Sequence, residues 1–426
     1  MIATMKTILI LTVGGSHEPI LRAISGVRPD HVCFVCSGDD PATGNKGSYV
    51  QITGKGSVIK ACFGDEKPTL PNIPAQAGLD ENQFEIVEVS ADDFDDVYQE
   101  VTGWLGGQDG VRLIADYTGG TKTMSAALAV AALDDERVEL QLVSGSRSNL
   151  VKVESGAEYV MPASVEASRF ARQLQRALSS WRRFAYEETL AMLEAMRPPR
   201  EADLRGEYQR ALDLSRGLAA WDRFDHAGAR EILLRYRTKQ GALWPQLYGS
   251  LDLLPNAERG EPIRILDLWR NAQRRAAQGR FDDAVARLYR LLEWSAQWML
   301  RTLTGIETAN VPADKIPAGL TLTPNREGKY QAGLFNAWAL LAEYGGERER
   351  AFWAQEKERM LDHLKRRNQS ILAHGFKPLT EQDWHEFSAW TEQALLPLLL
   401  SRTVADPWRI KVLPPQLPVG IQIAPE

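Results

Sequence analysis

The sequence predicts two structural classes in one chain: an α/β domain over residues 1–165 and an all-helical half over residues 166–426. In the first part, short apolar runs that are typical of buried strands alternate with stretches of helical spacing. After Val165 the strand patterns stop and long amphipathic helices dominate. Strands that alternate with helices favour right-handed crossovers and a mainly parallel sheet in the first part.

The elements of the α/β part follow from its residue patterns. Thr7–Val13 is a nearly continuous apolar run, which is typical of a strand covered on both faces. Asp92–Leu105 has its apolar residues at helical spacing. Ligands of such sheets bind beyond the carboxyl ends of the strands. The predicted strands are Thr7–Val13, His31–Cys36, Phe84–Val89, Val111–Ala115 and Val138–Ser144, and the predicted helices are Pro19–Ile24, Asp92–Leu105 and Thr123–Leu133.

One segment of the α/β part lacks these patterns. Ser37–Pro74 is rich in Gly, Lys, Ser, Thr and Pro and has little apolar periodicity. We interpret it as a long excursion beside the predicted ligand site, and a lid over that site is one reading of it.

Composition excludes several classes of protein. Hydrophobic residues are 44% and charged residues 25% of the 426, which are ordinary values for a soluble globular chain. The longest uninterrupted apolar stretch, Ala126–Leu133, is far too short to cross a membrane. A net charge of −6 argues against a general nucleic-acid coat protein, so any polyanion site must be a local basic patch. We expect a soluble, cytoplasmic protein.

The cysteines and histidines do not predict a metal site. Cys33 and Cys36 form a CxxC phrase inside a predicted buried strand, and with Cys62 they are more typical of core thiols in a reducing compartment. His363, His374 and His385 recur every eleven residues. That step spans about 16 Å of helix, which is too long for the three to share one ion. We therefore expect no metal.

A proline-containing segment that interrupts the helical pattern divides the helical half. Leu254–Pro262 precedes a long apolar-periodic stretch, so we predict a connecting helical domain over residues 166–260 and a second helical domain over residues 261–426. Trp181–Phe184, Trp221–Phe224 and Gly279–Phe281 open similar phrases, which indicates helices packed on aromatic anchors or degenerate helical hairpins. In the proline-rich tail, Ile410–Leu413 is a candidate edge strand.

The first stretch that can carry chemistry is Asp116–Thr123, which follows a buried strand and begins an Ala-rich helix. Its paired glycines allow backbone N–H groups to approach a phosphate, and the helix N-terminus adds a favourable dipole. It is not a Walker A loop, so ATP hydrolysis is not implied. Thr12–Ser16 is a second glycine turn after the first strand. The two turns form one anion pocket or are simply two tight βα turns.

The second stretch is Lys365–Gly375 in the helical half. His374 lies seven positions after Arg367, about two helical turns, so the pattern places both on one helix face with Gly375 as the stop. An arginine that binds phosphate beside a histidine that exchanges protons suits phosphodiester cleavage, with Asn368 as a further polar contact. The alternative is an ordinary basic helix end, where cations favour the dipole.

Together the two stretches resemble a known family. Asp116–Thr123 resembles the ligand motif of CARF domains, which are Rossmann-like, and Arg367-Asn368 with His374 matches the RN-x(4–6)-H pattern of HEPN ribonucleases. The helix phrase Arg287–Glu293 with Gln297 is similar to this family as well. CARF before HEPN is the order found in type III CRISPR-associated accessory ribonucleases, and the resemblance covers nearly the whole chain.

The resemblance implies an antiviral endoribonuclease that is activated allosterically by cyclic oligoadenylate bound to a CARF domain. It implies cleavage of single-stranded RNA by attack of the 2′-OH, with neither metal nor cofactor, in a homodimer whose HEPN domains share a composite site. The ring size of the activator, and whether the CARF domain also cleaves it, stay open. The implied catalytic residues are Arg367, Asn368 and His374, and the implied ligand-binding residues are Gly14, Gly15, Ser16, Thr118, Gly119, Gly120, Thr121 and Lys122.

Two other functions remain alternatives. One is a nucleotide sensor or regulator without nuclease activity, and the other is an activator-driven, metal-dependent DNA nuclease. Trp353, Trp384 and Trp390 lie around the second stretch, where they either stack bases or pack in the core.

Overall fold

The computed structural model of the chain describes residues 5–39, 44, 46–61, 65–145, 158–237, 244–403 and 413–420. The chain forms two compact units, Met1–Arg172 and Gln173–Glu426. Cys62, and all but the last residue of the predicted edge strand Ile410–Leu413, lie outside the described residues. The division into three domains stays a prediction.

The first unit is built on a six-stranded sheet of order β3-β2-β1-β4-β5-β6. The five predicted strands are all present, and they pair in parallel as expected. A sixth strand pairs antiparallel with β5 and was not predicted. The strands are β1 Thr7–Thr12, β2 His31–Ser37, β3 Phe84–Val89, β4 Arg112–Asp116, β5 Val138–Gly145 and β6 Glu158–Pro162.

Helices cover this sheet, and the strand order opens a crevice at one edge. The chain runs outward from β1 through β2 to β3 and then returns to place β4 on the other side of β1. The connections that leave β1 and β4 therefore diverge, and a crevice forms beyond their carboxyl ends. The helices of this unit are α1 Glu18–Val27, α2 Val50–Thr53, α3 Ile73–Ala77, α4 Phe94–Gly106, α5 Lys122–Asp134 and α6 Glu166–Ser179, the last of which continues into the second unit.

The excursion between β2 and β3 is anchored to the core. It contains α2 and α3, and Ile59 pairs with Leu70 in an isolated bridge. Ile52 and Ile73 are buried, so single apolar residues hold a segment that shows no periodic pattern. Its action as a lid stays a prediction.

The second unit is all-helical, as the sequence predicts. Its main core draws on α11 to α16 and includes the buried Trp338. No described helix of the chain is long and apolar enough to cross a membrane. The α-helices are α7 Tyr186–Ala195, α8 Ala202–Asp222, α9 His226–Leu233, α10 Trp244–Leu253, α11 Gly260–Ala277, α12 Phe281–Thr304, α13 Leu334–Tyr344, α14 Glu347–Asn368, α15 Glu381–Trp390 and α16 Leu396–Thr403. Short 3₁₀ turns span Ser180–Arg183, Leu234–Tyr236 and Ala313–Lys315, and a π turn spans Thr391–Leu395.

The three similar phrases of the helical half adopt one turn. Phe184, Phe224 and Gly279 each end a helical segment with a positive φ, at 57°, 71° and 73°. In the first two turns the Phe N–H donates to the carbonyl of Trp181 or Trp221, at 2.9 and 2.8 Å. Both tryptophans are fully buried, so the phrases are helix ends packed on aromatic anchors.

Candidate functional sites

The two glycine turns of the first unit meet in backbone contact at the crevice between β1 and β4. A Cβ added to Gly14 would lie 2.6 Å from the backbone nitrogen of Gly120, and one added to Gly119 would lie 2.2 Å from the carbonyl oxygen of Thr12. Gly120 also has φ +81°, which L side chains rarely adopt. The paired glycines therefore let two turns share a space that side chains would fill.

Hydroxyl groups fix the orientation of the second turn. Thr12 Oγ1 and Ser125 Oγ both donate to the carbonyl oxygen of Gly119, each at 2.6 Å. Because a trans peptide places its N–H opposite its carbonyl, the N–H of Gly120 points away from these two hydroxyls. The turn is thus held rigidly by groups behind it.

Helix α5 begins at this turn, and Thr121 caps it. The hydroxyl of Thr121 accepts from Met124 N at 3.2 Å and donates to the carbonyl of Ala91 at 2.5 Å. That hydroxyl is therefore engaged in the cap. The first turn of α5 has no acidic residue and carries the exposed Lys122. A helix start with free N–H groups and a lysine attracts anions.

Asp116 and Thr118 tie the turn to the sheet. The buried Asp116 carboxylate accepts from Thr118 N and from Gln141 Nε2, both at 3.0 Å. Burial raises the pKa of Asp116 above its ordinary value, while these hydrogen bonds act in the opposite direction. Val143 N donates to Thr118 Oγ1 at 2.7 Å. Gly15 and Ser16, in contrast, are exposed at the first turn.

Sequence reasoning missed Gln51, which lies on α2 in the excursion. Its Nε2 donates to the carbonyl oxygen of Gly14 at 2.6 Å. The contact brings the excursion to the first glycine turn. No local pattern marks this glutamine, because the contact joins residues far apart in the chain.

In the second unit, Arg367 and His374 do not share a helix, and the prediction of one helical face is wrong. Helix α14 ends at Asn368, and His374 lies on the turn that follows. His374 N donates back to the carbonyl of Asn368 at 3.2 Å. A Cβ on Gly375 would lie 1.8 Å from the carbonyl oxygen of Gln369, so the chain folds directly back onto the helix end. The turn, rather than a second helical turn, keeps His374 beside the end of α14.

Arg367 is held differently from its basic neighbours. Lys365 pairs with Asp362 at 3.4 Å, and Arg366 pairs with Glu386, which raises the pKa of Arg366. The Arg367 guanidinium instead lies 4.0 Å from the ring centroid of Tyr289 on α12.

The donors of Arg367 are only partly used. Its Nη1 donates to Asn368 Oδ1 at 3.2 Å, and its Nε is buried without a hydrogen-bond partner among the described residues. Of these three adjacent cations, Arg367 alone makes no carboxylate contact with the described residues. His374 and Asn368 are exposed beside it.

The remaining predicted side chains near this site pack in the core. Trp384 and Trp390 are 7% and 2% exposed, and Trp353 packs on Phe335 with ring centroids 4.8 Å apart. The His363 ring stacks on Phe387 at 4.5 Å. Among the described residues, no group of three or more His, Cys, Asp or Glu side chains could hold a metal ion. The chemistry available at this site is therefore that of a guanidinium, an amide and an imidazole.

Comparison with known proteins gives a family match in the second unit and a structural match over nearly the whole chain. Residues 254–395, which include α11 to α15, match the family model described as the Csm6 HEPN domain. The chain is similar in structure to Enterococcus italicus Csm6 bound to cyclic hexa-2′-fluoro-hexa-dAMP, with a TM-score of 0.55 and 12% sequence identity. The match covers 96% of this chain and 97% of that one. No curated protein matches the chain in sequence.

The fold and the domain match bear on the resemblance drawn from the sequence. The likeness in structure extends over both units and shows a shared fold, and the family model falls on the unit that carries Arg367 and His374. Residues 254–395 therefore match the Csm6 HEPN family, and the chain shares the fold of a Csm6 protein, as the resemblance to CARF–HEPN ribonucleases of type III CRISPR systems predicts.

Proposed function

We propose that the chain is an endoribonuclease that cleaves single-stranded RNA without a metal ion, and that cyclic oligoadenylate bound at the glycine turns activates it. The observation that carries the proposal is the placement of Arg367 at the end of α14 and of His374 on the turn that folds back on it, inside the segment that matches a HEPN model. The glycine turns form the proposed binding site for the activator. They present a helix N-terminus and Lys122 to a ligand rich in phosphates.

The reaction follows from the groups at the end of α14. The RNA 2′-OH attacks the adjacent phosphorus, the bond from phosphorus to the 5′-oxygen breaks, and the products carry a 2′,3′-cyclic phosphate and a 5′-OH. The 2′-oxygen loses a proton and the leaving 5′-oxygen gains one. His374 takes part in this proton transfer, and Arg367 stabilises the charge that develops on the phosphate. Asn368 holds the guanidinium through its hydrogen bond to Nη1.

A second copy of the chain completes this site. Ile371, Leu372 and Phe376 are 63%, 49% and 95% exposed, and all three lie on the turn that carries His374 or directly after it. Contiguous exposed apolar side chains of this kind suit burial in an interface. A two-fold homodimer through this turn brings two Arg367/His374 pairs together and covers its exposed apolar side chains.

The proposal is tested by incubation of the purified chain with labelled single-stranded RNA in excess EDTA, with cyclic tetra- and hexa-adenylate added in turn. We expect one ring size to stimulate cleavage strongly, with products that end in 2′,3′-cyclic phosphate. A strict requirement for Mg²⁺ or Mn²⁺ would favour a DNA nuclease instead. Activator binding without cleavage of any RNA would favour a sensor without nuclease activity.

A further inference from the structure

The half-buried Tyr289 on α12 lies under the guanidinium of Arg367. The distance from Arg367 Cζ to the centre of the ring is 4.0 Å, well within the range of a cation–π contact. Tyr289 packs against the main core of the second unit, so its ring has a firm backing. The neighbouring Arg287 is bonded to Asp283 O at 2.8 Å, and Arg290 to Glu293 at 2.7 Å, so both α12 arginines beside Tyr289 have partners of their own.

An aromatic ring holds a guanidinium in a way that a carboxylate does not. A carboxylate uses two N–H donors and neutralises the charge, whereas a ring covers one face of the guanidinium and leaves its in-plane N–H donors available. The charge of Arg367 is therefore kept for another anion. The buried Nε has no hydrogen-bond partner among the described residues, so the donors left for an anion are those of the terminal nitrogens.

We propose that Tyr289 is a positioning residue of the ribonuclease, and that its ring orients the Arg367 guanidinium toward the scissile phosphate. This role rests on the proposed function. The ring itself does not touch the reacting atoms. It restricts the rotation of a long side chain before RNA binds, so that the charge which stabilises the transition state is already in place.

The test compares variants at this position in activator-stimulated RNA cleavage. Tyr289→Met keeps much of the volume and removes the ring, and Tyr289→Phe keeps the ring and removes the hydroxyl. We expect Tyr289→Met to lower kcat about 10- to 100-fold with little change in KM, and Tyr289→Phe to restore the wild-type value. The control is Tyr344→Leu, which removes a ring 5.7 Å from Lys315 Nζ in the same unit and leaves kcat unchanged.

Each outcome of this comparison supports or overturns the positioning role of Tyr289. Equal kcat values for wild type and a folded Tyr289→Met variant overturn the role of Tyr289 and leave the proposed function standing. Loss of activity in Tyr289→Phe as large as in Tyr289→Met also overturns it, because the hydroxyl and not the ring then acts. If Tyr289→Met does not fold, Tyr289→Leu and the Phe variant make the same comparison. A wild-type chain that cleaves no RNA overturns the proposed function and this role with it.

Discussion

The two candidate sites differ in the groups that form them: backbone groups at the glycine turns and side chains at the end of α14. At the glycine turns the backbone forms the site: Gly14 and Gly120 are in contact, and the hydroxyls of Thr12 and Thr121 are bonded behind the turn. At the end of α14 side chains form the site, and the exposed Phe376 lies next to them. These contacts between the two glycine turns lie within one chain. The second site presents exposed apolar side chains beside its charged groups, which is what the proposed half-site requires.

This difference predicts different responses to substitution, and the largest concerns the side-chain site. His374→Ala should lower RNA cleavage by at least about 10²- to 10⁴-fold, because proton transfer then has no side chain to serve it. Activator binding, measured by calorimetry, should be unchanged. The matched control is His385→Ala, since His385 is 68% exposed on α15 and outside the motif. Undiminished cleavage by His374→Ala would refute the assignment.

The next effect concerns the backbone site. Lys122→Glu places a negative charge at the start of α5, where it repels phosphate and keeps the backbone of the turn intact. We expect activator affinity to fall about 10- to 100-fold, the scale of one lost bond to a charged group. Unstimulated cleavage and the melting temperature should stay at the wild-type level. Lys6→Glu, an exposed reversal just before β1, is the control. Unchanged affinity in Lys122→Glu would place the pocket elsewhere.

The sequence predicted the elements whose signals are local. Strands β1 to β5 are recognisable because they are mostly apolar and bounded by turn residues, and the glycine pairs mark both turns. Strand β6 was not predicted from the sequence because it is a short edge strand. Its Tyr159 and Met161 are exposed, so it lacks the apolar pattern of a buried strand.

The residue at which α14 ends was predicted wrongly for another reason. Helical spacing alone continues past Asn368, and the stop depends on how Gly375 closes back on Gln369. Tyr289 lies in the phrase Arg287–Glu293, but spacing reveals neither its contact with Arg367 nor that of Gln51, since each contact is with a residue distant in the chain.

The smallest expected effect is on the free energy of unfolding. It concerns His363, which lies outside the Arg367/His374 motif. Burial, with a contribution from the nearby Arg366, lowers the pKa of His363 to about 4, below its ordinary value of 6.5. The further charges that act on the ring are Glu386, Arg359 and Asp362. Well above pH 6.5 the imidazole of His363 is neutral in both the folded and the unfolded chain, so its full contribution to the free energy of unfolding is present. As the pH falls from 6.5 to 4, the unfolded chain takes up the proton first and stability declines.

Urea unfolding at pH 7 and pH 5 measures this decline. We expect His363 to contribute about 1–2 kcal/mol of the loss, after allowance for solvent screening of a half-buried ring. His363→Phe, which preserves the stack on Phe387, should lose less stability between the two pH values than the wild type. His385→Phe should lose as much as the wild type. An equal loss in all three chains would contradict the assigned environment of His363.

The claim that the end of α14 is a half-site, completed by a second copy of the chain, is tested most directly by mixed dimers. A wild-type chain and a chain with both Arg367→Ala and His374→Ala are given different affinity tags, and the dimer that carries both tags is isolated. Its activator-stimulated RNA cleavage is then measured against the wild-type dimer. A composite site predicts that the mixed dimer is nearly inactive. Independent sites would leave about half of the wild-type activity by site counting, and that result, or a fully active monomer in sedimentation, would contradict the account.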